Sequence, residues 1–204
     1  PSNKVKLSAI QNLYFLNSKS MTSEVSELLK IEDRDLTIAT LAYILSFAHK
    51  DKSFVFDAYL ENPNERISSA ALFCLAREAK HNYSLKQRYS LLDRISKSLV
   101  NIEKNKDNIS YLLGVANMPI YYNKLIEFLN HENEEIVMTT IKSIGSTIDP
   151  NLGQHIIPFL EQKKYRPTVI EAFKQYGPQI LPLLRKNVQQ RLQPLSVIRF
   201  IPMA

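Results

Sequence analysis

The amino-acid sequence predicts an all-α protein, an α-solenoid of about six helical hairpins, on three observations. Four glycines and the absence of any Asn-Gly or Asp-Gly pair remove the turn chemistry that hairpin-rich β folds need. Apolar residues recur in long runs at the 3.6-residue helical period. One unit of apolar stripe, polar break and second apolar stripe returns along the chain. It is clearest at 125–145, LIEFLNHENEEIVMTTIKSIG, where Leu125, Ile126, Phe128 and Leu129 precede a break at Asn130–Asn133. Ile136, Ile141 and Ile144 follow at helical spacing, with Asn133 placed as N-cap and Glu134 and Glu135 at the positive end of the helix dipole.

Taken in order, residues 3–17 read as a first helix through Val5, Leu7, Ile10, Leu13, Tyr14 and Leu16. After a polar break, a short helix at 24–31 and a second through Leu36, Ile38, Leu41, Ile44 and Leu45 form a hairpin. Residues 54–79 repeat it, with Phe54, Phe56, Tyr59 and Leu60, the turn Glu61-Asn62-Pro63-Asn64, then Ile67, Ala71, Leu72, Leu75 and Ala76. Leu29, Leu60 and Leu129 end first helices, and Leu36, Ile67 and Ile136 open second ones, at spacings of 31 and 69. The 69-residue gap holds a further, less regular hairpin at 84–117. Its longer first helix carries Leu91, Leu92, Ile95 and Leu99, and its second carries Ile109, Leu112 and Leu113, across an exposed polar turn at 103–108.

Beyond the central hairpin, Asp149-Pro150 stops one helix and starts the next. Ile156, Ile157, Phe159 and Leu160 copy the stripe of Leu125–Leu129 at a spacing of 31. Pro167 is placed at the first residue of a helix ended by Gly177-Pro178. Ile180, Leu181, Leu183 and Leu184 restart the stripe after 24 residues, and a last helix begins near Pro194. Periods of roughly 20–50 residues with one helical hairpin each are the signature of a solenoid, in which no repeat buries its apolar face alone. The whole of 1–204 reads as one such domain. With Pro1 in place of an initiator Met and the open apolar run VIRFIPMA at the end, the expectation is a fragment of a longer chain.

LENPNERISSAALFCLA and LNHENEEIVMTTIKSIGSTIDP resemble HEAT repeats. The shared pattern is a first helix ending in Leu, a turn rich in Asn, Asp and Pro, an aliphatic opening to the second helix, a small residue late in it (Ala76, Gly145), and an Asp-Pro exit. The resemblance covers 54–80 and 120–204 best. It implies a right-handed, armadillo-like solenoid acting as a cytoplasmic, protein-binding scaffold, engaging a protein partner or another domain of its own chain. The segment YRPTVIEAFKQYGPQILPLL followed by VIRFIPMA is similar to HEAT segments appended to bacterial ATP/ADP translocase-type transporters. That likeness implies a cytosolic regulatory module near a membrane, held there by a transmembrane region outside these residues. No transport residue can be carried over from it.

Chemistry is thinly represented. His49, His81, His131 and His155 have no metal-ligand spacing and read as surface residues. No glycine-rich phosphate loop and no Gly-x-Ser-x-Gly elbow occurs. Asp57, Asp93 and Glu127 read as members of solvated ion pairs. Cys74, the single cysteine, lies in AALFCLA and reads as a core thiol in a reducing compartment. No apolar run approaches about 18 residues, and no signal peptide is visible. The expectation is a protein without enzymatic activity or cofactor.

Charge is asymmetric. Residues 162–204 carry Lys163, Lys164, Arg166, Lys174, Arg185, Lys186, Arg191 and Arg199 against Glu171 alone, a net +7 in a chain of +6. This basic end is the candidate surface, for phosphates, an anionic membrane or an acidic neighbour, with Tyr165 beside Arg166 offering a stacking ring. The alternative function is nucleic-acid binding, including the chemistry of HEAT-like DNA glycosylases. The lack of Trp, and of any acid but Glu171 within the basic cluster, weighs against the enzyme.

Overall fold

The computed structural model describes residues 1–16, 21–47, 52–100 and 106–189. Among them every regular element is helical: α1 (Asn3–Phe15), α2 (Thr22–Ser26), α3 (Arg34–Phe47), α4 (Ser53–Tyr59), α5 (Glu65–Ala79), α6 (Tyr83–Arg88), α7 (Leu91–Val100), α8 (Lys106–Ala116), α9 (Tyr122–Phe128), α10 (Glu134–Thr147), α11 (Pro150–Ile156), α12 (Arg166–Tyr176) and α13 (Leu181–Gln189). Contacts cluster into two compact units, Pro1–Arg94 and Ile95–Ala204.

Short polar residues start the helices. Asn64, Asn133 and Asp149 each accept a hydrogen bond from the backbone N–H two residues on, at 3.0, 2.9 and 2.8 Å, and Asp33 accepts from Leu36 at 2.9 Å. The Asn-rich turns that punctuate the sequence are therefore caps. Asp149 has Pro150 directly behind it at the first helical position, where no N–H is required. Arg166 opens α12, so Pro167 lies one position further in than the sequence suggests.

In the first unit α3 packs against α1 and α5, while α2 and the 3-10 turn Glu27–Lys30 lie against α3, and α4 and α6 against α5. Leu36, Leu41, Leu45, Phe56 and Leu75 are fully buried here. In the second unit α10 packs against α8 and α12, with α9 and α11 also on it; Leu113, Leu125, Ile141, Ile144 and Leu152 form the core. The all-α expectation and the packing of helix pairs hold.

The long helix expected at 84–99 is instead two, α6 and α7. Ser90 takes φ 47°, and Arg94 donates from Nε to the Tyr89 carbonyl at 2.9 Å, occupying an oxygen that a continuous helix would use internally. The Tyr89 side chain turns inward, edge-on to Phe56 at 5.5 Å, with its hydroxyl 2.8 Å from Asp57 Oδ1 and 3.1 Å from the Ser53 carbonyl. Since Ser90 is exposed and pays a steric cost for a left-handed backbone, Ser90→Gly is expected to stabilise the protein by about 1 kcal/mol. Urea denaturation checks it, and a loss of stability would refute the account of the break.

Several residues of the expected stripes are exposed. Val5 lies on the side of α1 away from Leu7, Ile10 and Leu13, which pack against α2 and α3, Tyr14 stands in its last turn and Leu16 caps its end; Phe54 and Leu92 are likewise outside the core. The polar turn at 103–105 and the helix expected from Pro194 lie outside the described residues.

Candidate functional site

Two sets of residues are left over once packing has claimed its share. The first is the free side of the helices in the second unit. On α10 the buried positions are Ile136, Val137, Thr140, Ile141, Ser143, Ile144, Gly145 and Thr147. Glu135 and Lys142 are exposed and Met138, Thr139 and Ser146 half-buried; at spacings of three and four they share one face about 100° wide. Asn108 and Tyr111 on α8, and Arg166, Ile170 and Lys174 on α12, are the corresponding uncovered or half-buried positions.

Close backbone approach holds these three helices together. A Cβ on Gly114 of α8 would fall 2.6 Å from Ser143 Cβ, and one on Gly145 of α10 would fall 2.7 Å from Ala172 Cβ on α12. The hydroxyls of Ser110 and Thr140 meet between α8 and α10 at 2.9 Å, and Asn117 Nδ2 donates to the Thr147 carbonyl at 3.1 Å. Tyr176 reaches back from α12 to donate to the carbonyls of Ile144 and Asp149, at 3.2 and 2.9 Å, with its ring against Gly153. Sequence reasoning found Gly145 as a small position but missed Gly114, which lies 31 residues earlier.

The second set is the basic C-terminal surface. Arg191 and Arg199 lie outside the described residues. The remaining six have different roles. Lys164 is 2.5 Å from Glu134 and sits over the Tyr165 ring, 4.7 Å from its centroid. The Tyr165 ring is itself buried and edge-on to Phe159, so it offers no free stacking face. Arg166 turns its guanidinium onto the carbonyls of Leu160 and Glu161, at 2.7 and 3.5 Å, tying the start of α12 to the preceding turn. Lys174 pairs with Glu171 at 2.6 Å. Lys163, Arg185 and Lys186 are exposed, in the turn before α12 and on α13. Three of the six, Lys164, Arg166 and Lys174, are thus engaged in local structure.

The histidines divide similarly. His81 is exposed, His155 is half-buried, and His131 accepts the Asn133 N–H on Nδ1 at 3.0 Å; His49 lies outside the described residues. No group of three or more potential metal-ligating side chains occurs among the described residues. Asp57 and Glu127 do form ion pairs, with Arg88 at 3.5 Å and Lys124 at 2.7 Å.

Cys74 is fully buried on α5 with Sγ directed at the Ile38 carbonyl of α3, 3.9 Å away. Burial pushes its thiol up to about 12, from an ordinary 9.0. Between those values the unfolded chain binds fewer protons than the folded one, so stability falls as pH rises through that window, and this group has no effect below it. Tyr122 and Tyr176, both pushed up from 10.0 to about 12 chiefly by burial, act with the same sign. Urea denaturation in the alkaline window is expected to show this loss, and Cys74→Ala to flatten it. An unchanged slope in Cys74→Ala would mean the thiol is accessible. Native protein is also expected to resist thiol-disulfide reagents until it unfolds.

No helix among the described residues is long and apolar enough to cross a membrane. The fold therefore defines an all-helical protein of packed helix pairs. No family model matches the chain, and no curated protein matches it.

Proposed function

We propose that this protein is a non-catalytic helical-repeat scaffold, a right-handed solenoid of HEAT-like hairpins whose second-helix face binds a protein partner or another part of its own chain. The observation that carries the reading is the register of the joints between helices. Asn3 to Asp33, Arg66 to Thr37, Ser110 to Thr140, Asn117 to Thr147 and Lys164 to Glu134 are hydrogen bonds between residues 29 or 30 apart, in the middle of the range of 25 to 37 spanned by the side-chain bonds between elements. That separation is close to the 31-residue spacing of the sequence stripes, as it should be where each hairpin stacks on the next. The less buried faces of α8, α10 and α12, with half-buried Tyr111, Met138 and Ile170 and exposed Lys142, supply mixed apolar and charged positions suited to a protein surface.

The test is mutational. Met138→Glu with Lys142→Glu is expected to abolish capture of the partner, while Gln154→Lys on α11 leaves it intact. The opposite result would place binding on the other layer and refute the reading. Under the narrower proposal of a transporter-associated module, the complete reading frame carries apolar segments of about 20 residues beside this region.

A further inference from the structure

The helix that opens the first unit buries one side and leaves the other bare. Leu7, Ile10 and Leu13 of α1 pack with Val25, Leu36 and Tyr43. At 3.6 residues per turn, Val5, Ser8, Ala9, Asn12, Phe15 and Leu16 fall within about 120° of one another on the side opposite Ile10. All six are exposed, with Val5 at 57%, Phe15 at 82% and Leu16 at 76%, and none is charged. Apolar residues exposed singly are ordinary on any surface; three on one uncharged helix face make a candidate interaction site.

The order of residues along this face identifies what covers it. The seam Val5, Ala9, Asn12, Leu16 advances by four, three and four residues, the alternation of a coiled-coil seam, and it reads the same in either direction. A second α1 laid antiparallel therefore falls into register, Val5 against Leu16 of the second copy and Ala9 against Asn12. The small side chains stand at the middle, where the two backbones approach, and the large ones close the ends. Ser8 and Phe15, seven residues apart, share one flank, so each Phe15 ring meets the space above Ser8 of the other copy. Charge selects the same arrangement. Lys4 and Lys6 are the only charged residues of α1, and both lie in its first turn, at the positive end of the helix dipole; its last turn carries no base. An antiparallel copy brings its negative C-terminal end to Lys4, whereas a parallel one would set Lys4 against Lys4. A lipid surface would have to take Asn12 and Ser8 into apolar surroundings, while a polar residue in a helical seam fixes register.

We propose that α1 pairs with α1 of a second copy of this chain, antiparallel about a two-fold axis, through Val5, Ala9, Asn12 and Leu16. This goes beyond the scaffold reading and does not rest on it. A helix of 13 residues is about 20 Å long, so the contact lies at the small end for specific interfaces, and the dimer is expected to dissociate in the micromolar range.

Sedimentation equilibrium of the full chain, from low to high micromolar concentration, tests the proposal. The mass is expected to climb from 23.5 kDa toward twice that value. Ala9→Glu, which puts a carboxylate at the centre of each seam, is expected to hold it at the monomer mass, and Gln154→Lys in the second unit to change nothing. Both positions are exposed, and unchanged circular dichroism excludes misfolding. Orientation is read by oxidation: Val5→Cys mixed with Leu16→Cys is expected to form the disulfide between unlike chains several-fold faster than either forms it with itself. The buried Cys74 stays silent. A mass of 23.5 kDa at every concentration overturns the proposal, as does an Ala9→Glu variant that associates like wild type. Faster coupling of like with like overturns the antiparallel arrangement. Binding of a persistent monomer to vesicles of phosphatidylserine and phosphatidylcholine, lost in Ala9→Glu, would assign the face to a lipid surface instead.

Discussion

Gly145→Val is expected to destabilise the protein by about 3 kcal/mol, the upper part of the range for overpacking a tight core. Two effects compete at this position. A glycine in the middle of a helix costs up to about 1 kcal/mol against alanine, so on propensity alone any replacement would help. The neighbour decides otherwise: the new Cβ would lie 2.7 Å from Ala172 Cβ and 2.8 Å from Ala172 Cα. The second of these is backbone, and no rotamer change relieves it. α10 and α12 must separate, with loss of contact along their length. Gly145→Ala should therefore already lose stability, and Ala172→Gly in that background should recover part of the loss, because it removes the Cβ clash and leaves the Cα clash. Thermal melts followed by circular dichroism measure all three. A Gly145→Ala variant at least as stable as wild type would mean that the two helices are further apart than described.

Ile141→Ala is expected to cost about 4 kcal/mol, as a large-to-small change at a site that cannot collapse. Ile141 is fully buried on α10, the helix that has α8 on one side and α12 on the other. The close contacts at Gly114 and Gly145 already hold the three backbones at their limit, so the neighbours cannot move in to fill the space. Ile141→Val should cost about 1 kcal/mol on the same reasoning. By contrast Lys142→Ala, one residue on and on the uncovered face, should be nearly neutral. Chemical denaturation of the series gives the ordering, and equal losses at Ile141 and Lys142 would contradict the assignment of the α10 faces.

The core was legible in the sequence wherever both of its neighbours were helices of the same kind. Leu36, Leu41, Leu75, Ile141 and Ile144 were all identified from period alone and are buried. Val5, Leu16, Phe54 and Leu92 satisfied the same period and are exposed, because periodicity records which residues share a face and not whether anything covers it. The basic end was less legible still. Lys164, Arg166 and Lys174 count equally as charges in the sequence, yet one pairs across to Glu134, one binds turn carbonyls and one pairs within its own helix.

By itself the sequence determined the helical class, the capping turns at Asn64, Asn133 and Asp149, and the break at Gly177-Pro178, since these depend on local backbone chemistry that a few adjacent residues specify. Only the tertiary structure decided that Ser90 splits a helix, that Gly114 marks a point of contact as close as that at Gly145, and that Tyr83 and Phe54 stand exposed. Each of those outcomes rests on residues roughly 30 positions apart, or on what packing leaves uncovered, and neither quantity is written in the local pattern.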